Sequence, residues 1–213
     1  MAFDPRIHHR RSIRLRGYDY AGGGAYFVTI CTQARKCLFG EIVEGSMILN
    51  EVGRFVQRVW HGLPQRFGSV VLDAFQMMPN HLHAIFVLPG LGLEPAIAVA
   101  TGAPVIQPSG VGAGLDPPTR TVGVGLALPR ARQAVPLQHT TPRRTSMGDV
   151  VGAFKSISTI ALNQLGSRPG ARPLQKNFYE HIIRDVGELE MIRDYIAHNP
   201  QHWLEDPENP NMP

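Results

Sequence analysis

Two histidines stand one residue apart at the start of an apolar run, in the stretch MMPNHLHAIFVLP (77–89). If this run is a β-strand, the alternation of side chains puts His81 and His83 on one face and Leu82 on the other. Two neighbouring imidazoles on a rigid strand are suitable ligands for one metal ion. The alternative for the pair alone is a solvated polar face. Because two ligands hold a metal only weakly, the metal interpretation needs a third ligand nearby.

A second pair of reactive side chains lies in DYIAHNP (194–200), where a helix is expected to end. Tyr195 and Asn199 are four residues apart and therefore share one face of that helix. The Asn199 carboxamide offers an oxygen ligand, and the Tyr195 phenol can act as a covalent nucleophile. Taken separately, Tyr195 is more typical of half-buried packing, and Asn199 is more typical of a helix cap before Pro200.

The elements that must position these residues have recognisable patterns. The strand-like segments are 25–33, 69–78, 81–89 and 174–184, with a hairpin over 39–50. Helices are predicted from Asn50 to about Leu63, over 146–165 behind a Ser-x-x-Asp cap, and over 186–199 before Pro200. Strands and helices in this mixed order indicate an α+β sandwich with one antiparallel sheet.

Composition divides the chain into parts. Residues 90–145 are dominated by Gly, Pro, Ala, Val and Thr without a stable period, which predicts a long flexible insertion. We expect an Arg-rich N-terminal arm over 1–23, a single domain over 24–203 that the insertion interrupts, and a C-terminal tail over 204–213.

Charge and cysteine content limit the class of protein. The net charge of +4 is compatible with a polyanionic partner, and two cysteines argue against a disulfide framework, so a cytoplasmic location is expected. The basic N-terminus lacks the apolar stretch of a secretory signal. No apolar run reaches the roughly 18 residues of a membrane-spanning helix, so no membrane partner is expected.

Together, PNHLHAIFVLP, QKNFYEHIIR and DYIAHNP resemble the HUH single-strand transposases, and more narrowly the REP-associated tyrosine transposases. That resemblance implies a ferredoxin-like, HUH-type sandwich with helices packed on one face of the antiparallel sheet. It assigns a divalent cation, Mg²⁺ or Mn²⁺, to His81, His83 and Asn199, and catalysis to Tyr195. The chain departs from the usual pattern in its 90–145 insertion and at Leu174, where an aromatic residue is common.

The resemblance also implies an activity and a partner. The family cleaves and rejoins single-stranded DNA beside short hairpins through a 5′-phosphotyrosine, and its members act as monomers or homodimers. The candidate phosphate contacts in this chain are Arg10, Arg11, Arg14, Arg16, Lys155 and Lys176. For each of these cations the alternative is an ordinary solvated tail or surface.

Two other functions and one other nucleophile stay open at this point. A non-catalytic module could bind single-stranded nucleic acid by stacking bases on Phe27, Phe75 and Phe86, although core packing suits these residues too. A metal-dependent phosphodiesterase would use water as its nucleophile. Tyr179 is the rival tyrosine, because its strand register cannot be read from the sequence. Tyr195 is preferred because Asn199 accompanies it.

Overall fold

The computed structural model describes residues 17–91, 93–103, 144–166 and 169–211 of the 213-residue chain. The strands are β1 (Gly24–Cys31), β2 (Gly40–Val43), β3 (Ser46–Leu49), β4 (Val71–Met77), β5 (His81–Leu88) and β6 (Tyr179–Ile183). The helices are α1 (Glu51–His61), α2 (Leu63–Arg66), α3 (Pro95–Thr101), α4 (Met147–Leu165) and α5 (Val186–His198). Short 3₁₀ segments cover Gln33–Arg35 and Asn199–Glu205.

One antiparallel sheet positions the candidate residues. Its strand order is β4-β5-β1-β6, while β2 and β3 form a separate hairpin. β5 therefore lies inside the sheet, with His83 opposite Thr29 of β1. On the other side of β1, Thr29 pairs with Tyr179 of β6. Every pairing in this sheet is antiparallel, as expected from the sequence.

Helices cover both faces of the sheet. On one face, Trp60 of α1 contacts both Phe86 of β5 and Phe154 of α4. On the other, α3 and α5 form a second core that includes Phe27 and Ile192. The α+β fold with an antiparallel sheet is confirmed, but the helices are not confined to one face. Double coverage explains why β5 is apolar beyond its histidines and buried at all eight positions.

The predicted helix starts are present as side-chain caps. The Asn50 side chain accepts a hydrogen bond of 2.8 Å from the Gly53 amide. Ser146 and Asp149 form a reciprocal capping box at the start of α4. Such caps stabilise a helix by about 1 kcal/mol each, because they satisfy amide groups that have no partner within the helix. These local contacts fix the residues at which α1 and α4 begin.

The structure differs from the sequence-based prediction at the start of the insertion and in the C-terminal tail. The flexible insertion was predicted over 90–145, but its first part contains α3, which buries Ile97 and Ala98 in a core shared with the sheet. Residues 104–143 and 1–16 lie outside the described ranges, so the flexibility of the former and the arm formed by the latter stay predictions. Within the predicted tail, 204–213, Asp206 and Asn209 are buried.

Candidate functional site

The two histidines of β5 face the core that α5 covers. His81 and His83 are both buried, and their Nε2 atoms are 3.0 Å apart. The expected placement of both imidazoles on one face is therefore observed. Phe27 of the neighbouring strand stacks on the His83 ring, with 5.7 Å between the ring centroids. The pair is thus held in a rigid, dry part of the sheet.

The Nδ1 atoms of both histidines have hydrogen-bond partners of their own. His81 Nδ1 lies 2.8 Å from Asn80 Oδ1, and His83 Nδ1 lies 2.8 Å from the Thr29 hydroxyl. Contacts of this kind orient an imidazole and direct its other nitrogen to a ligand position. Both Nε2 atoms consequently point toward the same small space.

The end of α5 brings Tyr195 to this space, and the Asn199 side chain contacts Tyr195. The Tyr195 hydroxyl oxygen lies 3.4 Å from His83 Nε2. Asn199 follows the last residue of α5 and is buried, and its Oδ1 atom has no hydrogen-bond partner among the described residues. A buried oxygen without a partner costs about 1–3 kcal/mol. A bound cation would offset that cost, so the environment of Asn199 suits a ligand.

Asp206 joins the site, although the sequence did not predict it. Its Oδ2 atom lies 3.6 Å from His81 Nε2, and its carboxylate is buried. Ligand atoms of His81, His83 and Asp206 all lie within 4.8 Å of one another. The residue follows the 3₁₀ segment Asn199–Glu205, in a stretch that was predicted to be a tail. No motif or spacing in the sequence pointed to Asp206 as a ligand.

Burial determines the protonation of these groups. It lowers the pKa of His83 to about 3, and burial together with the nearby His83 lowers the pKa of His81. Both imidazoles are therefore neutral near pH 7 and have a lone pair for a ligand. Burial and the charge of Asp206 raise the pKa of Tyr195, and Asn199 opposes part of that increase. The phenol therefore keeps its proton until a positive charge or a proton acceptor assists its loss.

The rival tyrosine lies on the same face of the sheet. The Tyr179 ring contacts Phe27 edge to face, with 5.9 Å between centroids, and Phe27 contacts Tyr195 in a similar way at 6.2 Å. The strand register, which could not be read from the sequence, places Tyr179 beside the site. Thr29 of β1 lies between Tyr179 of β6 and His83 of β5. Burial, followed by the charge of Glu188, raises the pKa of Tyr179 to about 12.

The candidate DNA-contacting cations have different environments. The Lys155 ammonium donates hydrogen bonds to the carbonyl oxygens of Gln175 and Lys176, at 2.6 and 2.7 Å. The Lys176 side chain is exposed. The candidate arginines lie outside the described residues and are Arg10, Arg11, Arg14 and Arg16.

The three phenylalanines that were candidates for base stacking pack mainly in the core. Phe27 and Phe86 are almost completely buried, at 2% and 0% relative exposure. Phe75 is partly buried and stacks on Trp60. Bases could reach Phe27 or Phe86 only if a helix layer left the sheet.

Known proteins that resemble this chain bear on its family. No protein-family model matches the chain. It is 33% identical over 207 residues to an uncharacterized protein of Haemophilus influenzae, and the match covers 96% of this chain and 95% of that protein. In the part of the chain that the structure describes, no helix is long and apolar enough to cross a membrane.

Two solved structures that resemble this chain carry transposase descriptions. One is a REP-associated tyrosine transposase bound to a REP hairpin, with 17% identity, a TM-score of 0.49, and coverage of 89% of this chain and 72% of that one. The other is a Deinococcus radiodurans protein with a provisional transposase description, with 16% identity, a TM-score of 0.37, and coverage of 90% and 98%. Because its similarity to the Haemophilus influenzae protein extends over nearly the whole of both sequences, the chain belongs to the same protein family as that protein.

Proposed function

We propose that the chain is a metal-dependent transposase that cleaves and rejoins single-stranded DNA near hairpins, with Tyr195 as the nucleophile. The observation that carries this proposal is the 3.4 Å separation between the Tyr195 hydroxyl and Nε2 of His83, at the point where His81 and Asp206 also converge. A nucleophile beside a set of metal ligands is the arrangement that phosphodiester cleavage requires. The resemblance of the motifs to tyrosine transposases supports the same reaction.

The donor set suits a divalent cation. It comprises the neutral imidazole nitrogens of His81 and His83 and the Asp206 carboxylate. We propose the Asn199 carboxamide oxygen, which has no hydrogen-bond partner among the described residues, as a fourth ligand. Nitrogen ligands favour Mn²⁺, whereas oxygen ligands also suit Mg²⁺. When bound, the cation would neutralise the charge of the scissile phosphate and so permit attack by an oxygen nucleophile.

Tyr195 would perform the chemical step. Its oxygen forms a bond to phosphorus as the bond from phosphorus to the 3′ oxygen breaks. The phenol proton is lost, and the departing 3′ oxygen gains a proton. A 5′-phosphotyrosine and a free 3′-hydroxyl result. The phosphotyrosine keeps the energy of the original ester, so attack by another 3′-hydroxyl reverses the step and joins new strands without ATP.

Exposed cations would hold the DNA backbone around the site. Lys176 is the described candidate whose side chain is open to solvent, and Arg10, Arg11, Arg14 and Arg16 stay candidates from the sequence. We propose single-stranded or hairpin DNA as the partner, a monomer or homodimer as the acting unit, and the cytoplasm as the location.

The test is covalent capture of DNA. The full chain, with Mn²⁺ and labelled hairpin oligonucleotides from sequence flanking its gene, is expected to yield an adduct that survives a denaturing gel. Tyr195→Phe should abolish the adduct, and the matched Tyr179→Phe variant should retain it. If the adduct survives in Tyr195→Phe but not in Tyr179→Phe, the nucleophile is Tyr179.

The same gel separates the alternative functions. Mn²⁺-dependent cleavage without an adduct would identify a phosphodiesterase that uses water. Binding without cleavage of any flanking hairpin would favour a binding module, although the burial of Phe27 and Phe86 argues against stacking on that surface.

A further inference from the structure

Asn80 lies directly before the first histidine and is almost completely buried, at 1% relative exposure. It lies in the short turn between β4 and β5. In the structure its side chain contacts three separate parts of the chain. These are the backbone of Arg35, the backbone of Glu208 and the ring of His81. None of these contacts is required to make the turn.

The orientation of the Asn80 amide follows from its partners. Its nitrogen donates hydrogen bonds to the carbonyl oxygens of Arg35 and Glu208, at 3.1 and 2.6 Å. Rotating the amide by half a turn would bring its oxygen against those two carbonyl oxygens, which cannot donate. The oxygen must therefore face His81, where it lies 2.8 Å from Nδ1.

This orientation determines which nitrogen of His81 carries the proton. An amide oxygen can only accept, so Nδ1 of His81 must donate, and Nε2 keeps its lone pair. That lone pair points toward His83 Nε2 and the Asp206 carboxylate, 3.0 and 3.6 Å away. The contact of His83 with Thr29 is different, because a hydroxyl can donate or accept. Asn80 imposes a tautomer, whereas Thr29 accommodates either.

The same amide also holds the segment that carries Asp206. The Glu208 carbonyl accepts from Asn80, and the Glu208 amide donates to Asp206 Oδ1 at 2.7 Å. The Glu208 carboxylate forms an ion pair with Arg35 at 3.2 Å. Asn80 is thus linked to both His81 and Asp206, which come from distant parts of the sequence.

We propose that Asn80 is a positioning residue of the cation site. It fixes the Nδ1-protonated tautomer of His81 and anchors the segment that brings Asp206 to the same space, so that a divalent cation meets both ligands already oriented. The inference rests on the proposed function for the identity of the ligand. The tautomer itself is a property of the protein without metal.

The first experiment measures that tautomer. In EDTA-treated full-length protein labelled with ¹⁵N-histidine, two-bond ¹H–¹⁵N NMR spectra are expected to show His81 protonated at Nδ1. Asn80→Ala should shift His81 toward a mixture or to the Nε2 form. Asn80→Asp keeps an oxygen for Nδ1 but removes both donors, so it should preserve the tautomer. A wild-type His81 protonated at Nε2 would overturn the inference without any variant.

The second experiment measures Mn²⁺ binding by calorimetry. Asn80→Ala should weaken the affinity by about 10- to 100-fold, as is usual when an orienting partner of a histidine ligand is removed. In Asn80→Asp, the affinity should also fall, because the Asp206 segment loses its anchor while the His81 tautomer is kept. Thr29→Val is the matched variant at His83 and should leave the His81 tautomer unchanged.

The two proposals fail in distinguishable ways. If the wild-type protein binds no Mn²⁺ but the tautomer of His81 responds to Asn80 as expected, the cation site is wrong and the orienting role stands. If wild-type protein binds Mn²⁺ and a folded Asn80→Ala variant keeps both the tautomer and the affinity, the role of Asn80 is wrong.

Discussion

The hydroxyl oxygen of Tyr195 lies 3.4 Å from Nε2 of His83, although 112 residues separate them in the sequence. The contact depends on the packing of α5 against the sheet face that carries the β5 histidines. Any change that moves α5 therefore changes the distance between nucleophile and candidate ligands. The predictions below concern the residues that hold this arrangement together.

Asp206 is expected to be a ligand of the cation. Asp206→Asn removes its charge with little change in volume, and we expect Mn²⁺ affinity to fall by at least about tenfold, as measured by calorimetry. Asp194→Asn is the matched control, because the Asp194 side chain is 76% exposed. Equal affinity in Asp206→Asn and wild-type protein would remove Asp206 from the ligand set.

The buried histidines should make the metal-free protein sensitive to acid. The pKa of His83 falls from 6.5 to about 3 on folding, so between these pH values the unfolded chain binds a proton that the folded chain does not. The free energy of unfolding should therefore decrease as pH falls through this window, by up to about 1.4 kcal/mol per pH unit for one histidine.

Urea titrations of EDTA-treated protein at several pH values between 6.5 and 4 test this dependence. His81 adds an effect of the same sign, because its pKa is also lowered. His83→Gln should reduce the slope of stability against pH. An identical slope in that variant would mean that His83 is accessible to protons in the folded state.

The ion pair between Arg193 and Asp73 should stabilise the position of α5. Arg193 Nε donates to Asp73 Oδ1 at 2.8 Å, its Nη2 contacts Asp73 Oδ2, and Nη2 also donates to the Ala100 carbonyl at 3.1 Å. Asp73→Ala should lower the free energy of unfolding by about 1.5–3 kcal/mol, the usual value for hydrogen bonds to a charged group. Urea denaturation measures this change.

The control for that prediction uses the other acidic partner of Arg193. Glu190 is 60% exposed, so Glu190→Ala should change stability by less than about 0.5 kcal/mol. If Asp73→Ala and Glu190→Ala have equal effects, the partly buried pair does not hold α5. Loss of adduct formation in Asp73→Ala with little loss of stability would instead indicate displacement of Tyr195.

The two lysines should have separable effects. Lys176→Ala should weaken binding of single-stranded DNA and reduce the slope of log affinity against log salt concentration by about 0.7, because one phosphate contact is lost. Lys155→Met should leave that slope unchanged and cost about 1 kcal/mol of stability, because the carbonyl groups of Gln175 and Lys176 lose a charged hydrogen-bond donor. Fluorescence anisotropy at several salt concentrations and urea denaturation distinguish the two outcomes.

Local patterns predicted much of this molecule because their causes are local. The caps at Asn50 and Ser146 act within one helical turn, and the placement of His81 and His83 on one face follows from strand alternation alone. The near-continuous apolar run of β5 also contained the signal that both faces of the sheet are covered, since a strand with one solvated face alternates.

The remaining features depend on contacts between distant segments. Asp206 lies near His81 because of the path that the C-terminal segment follows, and no local spacing in the sequence predicts that path. Ile97 lies in a stretch whose composition predicts flexibility, but its side chain is buried because α5 supplies an apolar surface. The face of the sheet on which Tyr179 lies depends on the pairing register between β6 and β1. A one-residue shift of that register would move its side chain to the opposite face.

The C-terminal segment that supplies Asn199 and Asp206 also sets the order in which the site is completed during protein synthesis. The sheet partners β1, β4 and β5 leave the ribosome early, whereas these two side chains follow more than 100 residues later. A nascent chain therefore contains its histidine strand long before it contains the full set of candidate ligands. If the proposed strand cleavage takes place at this site, it requires synthesis to have passed residue 206, and interrupted translation leaves products without the complete set of candidate ligands.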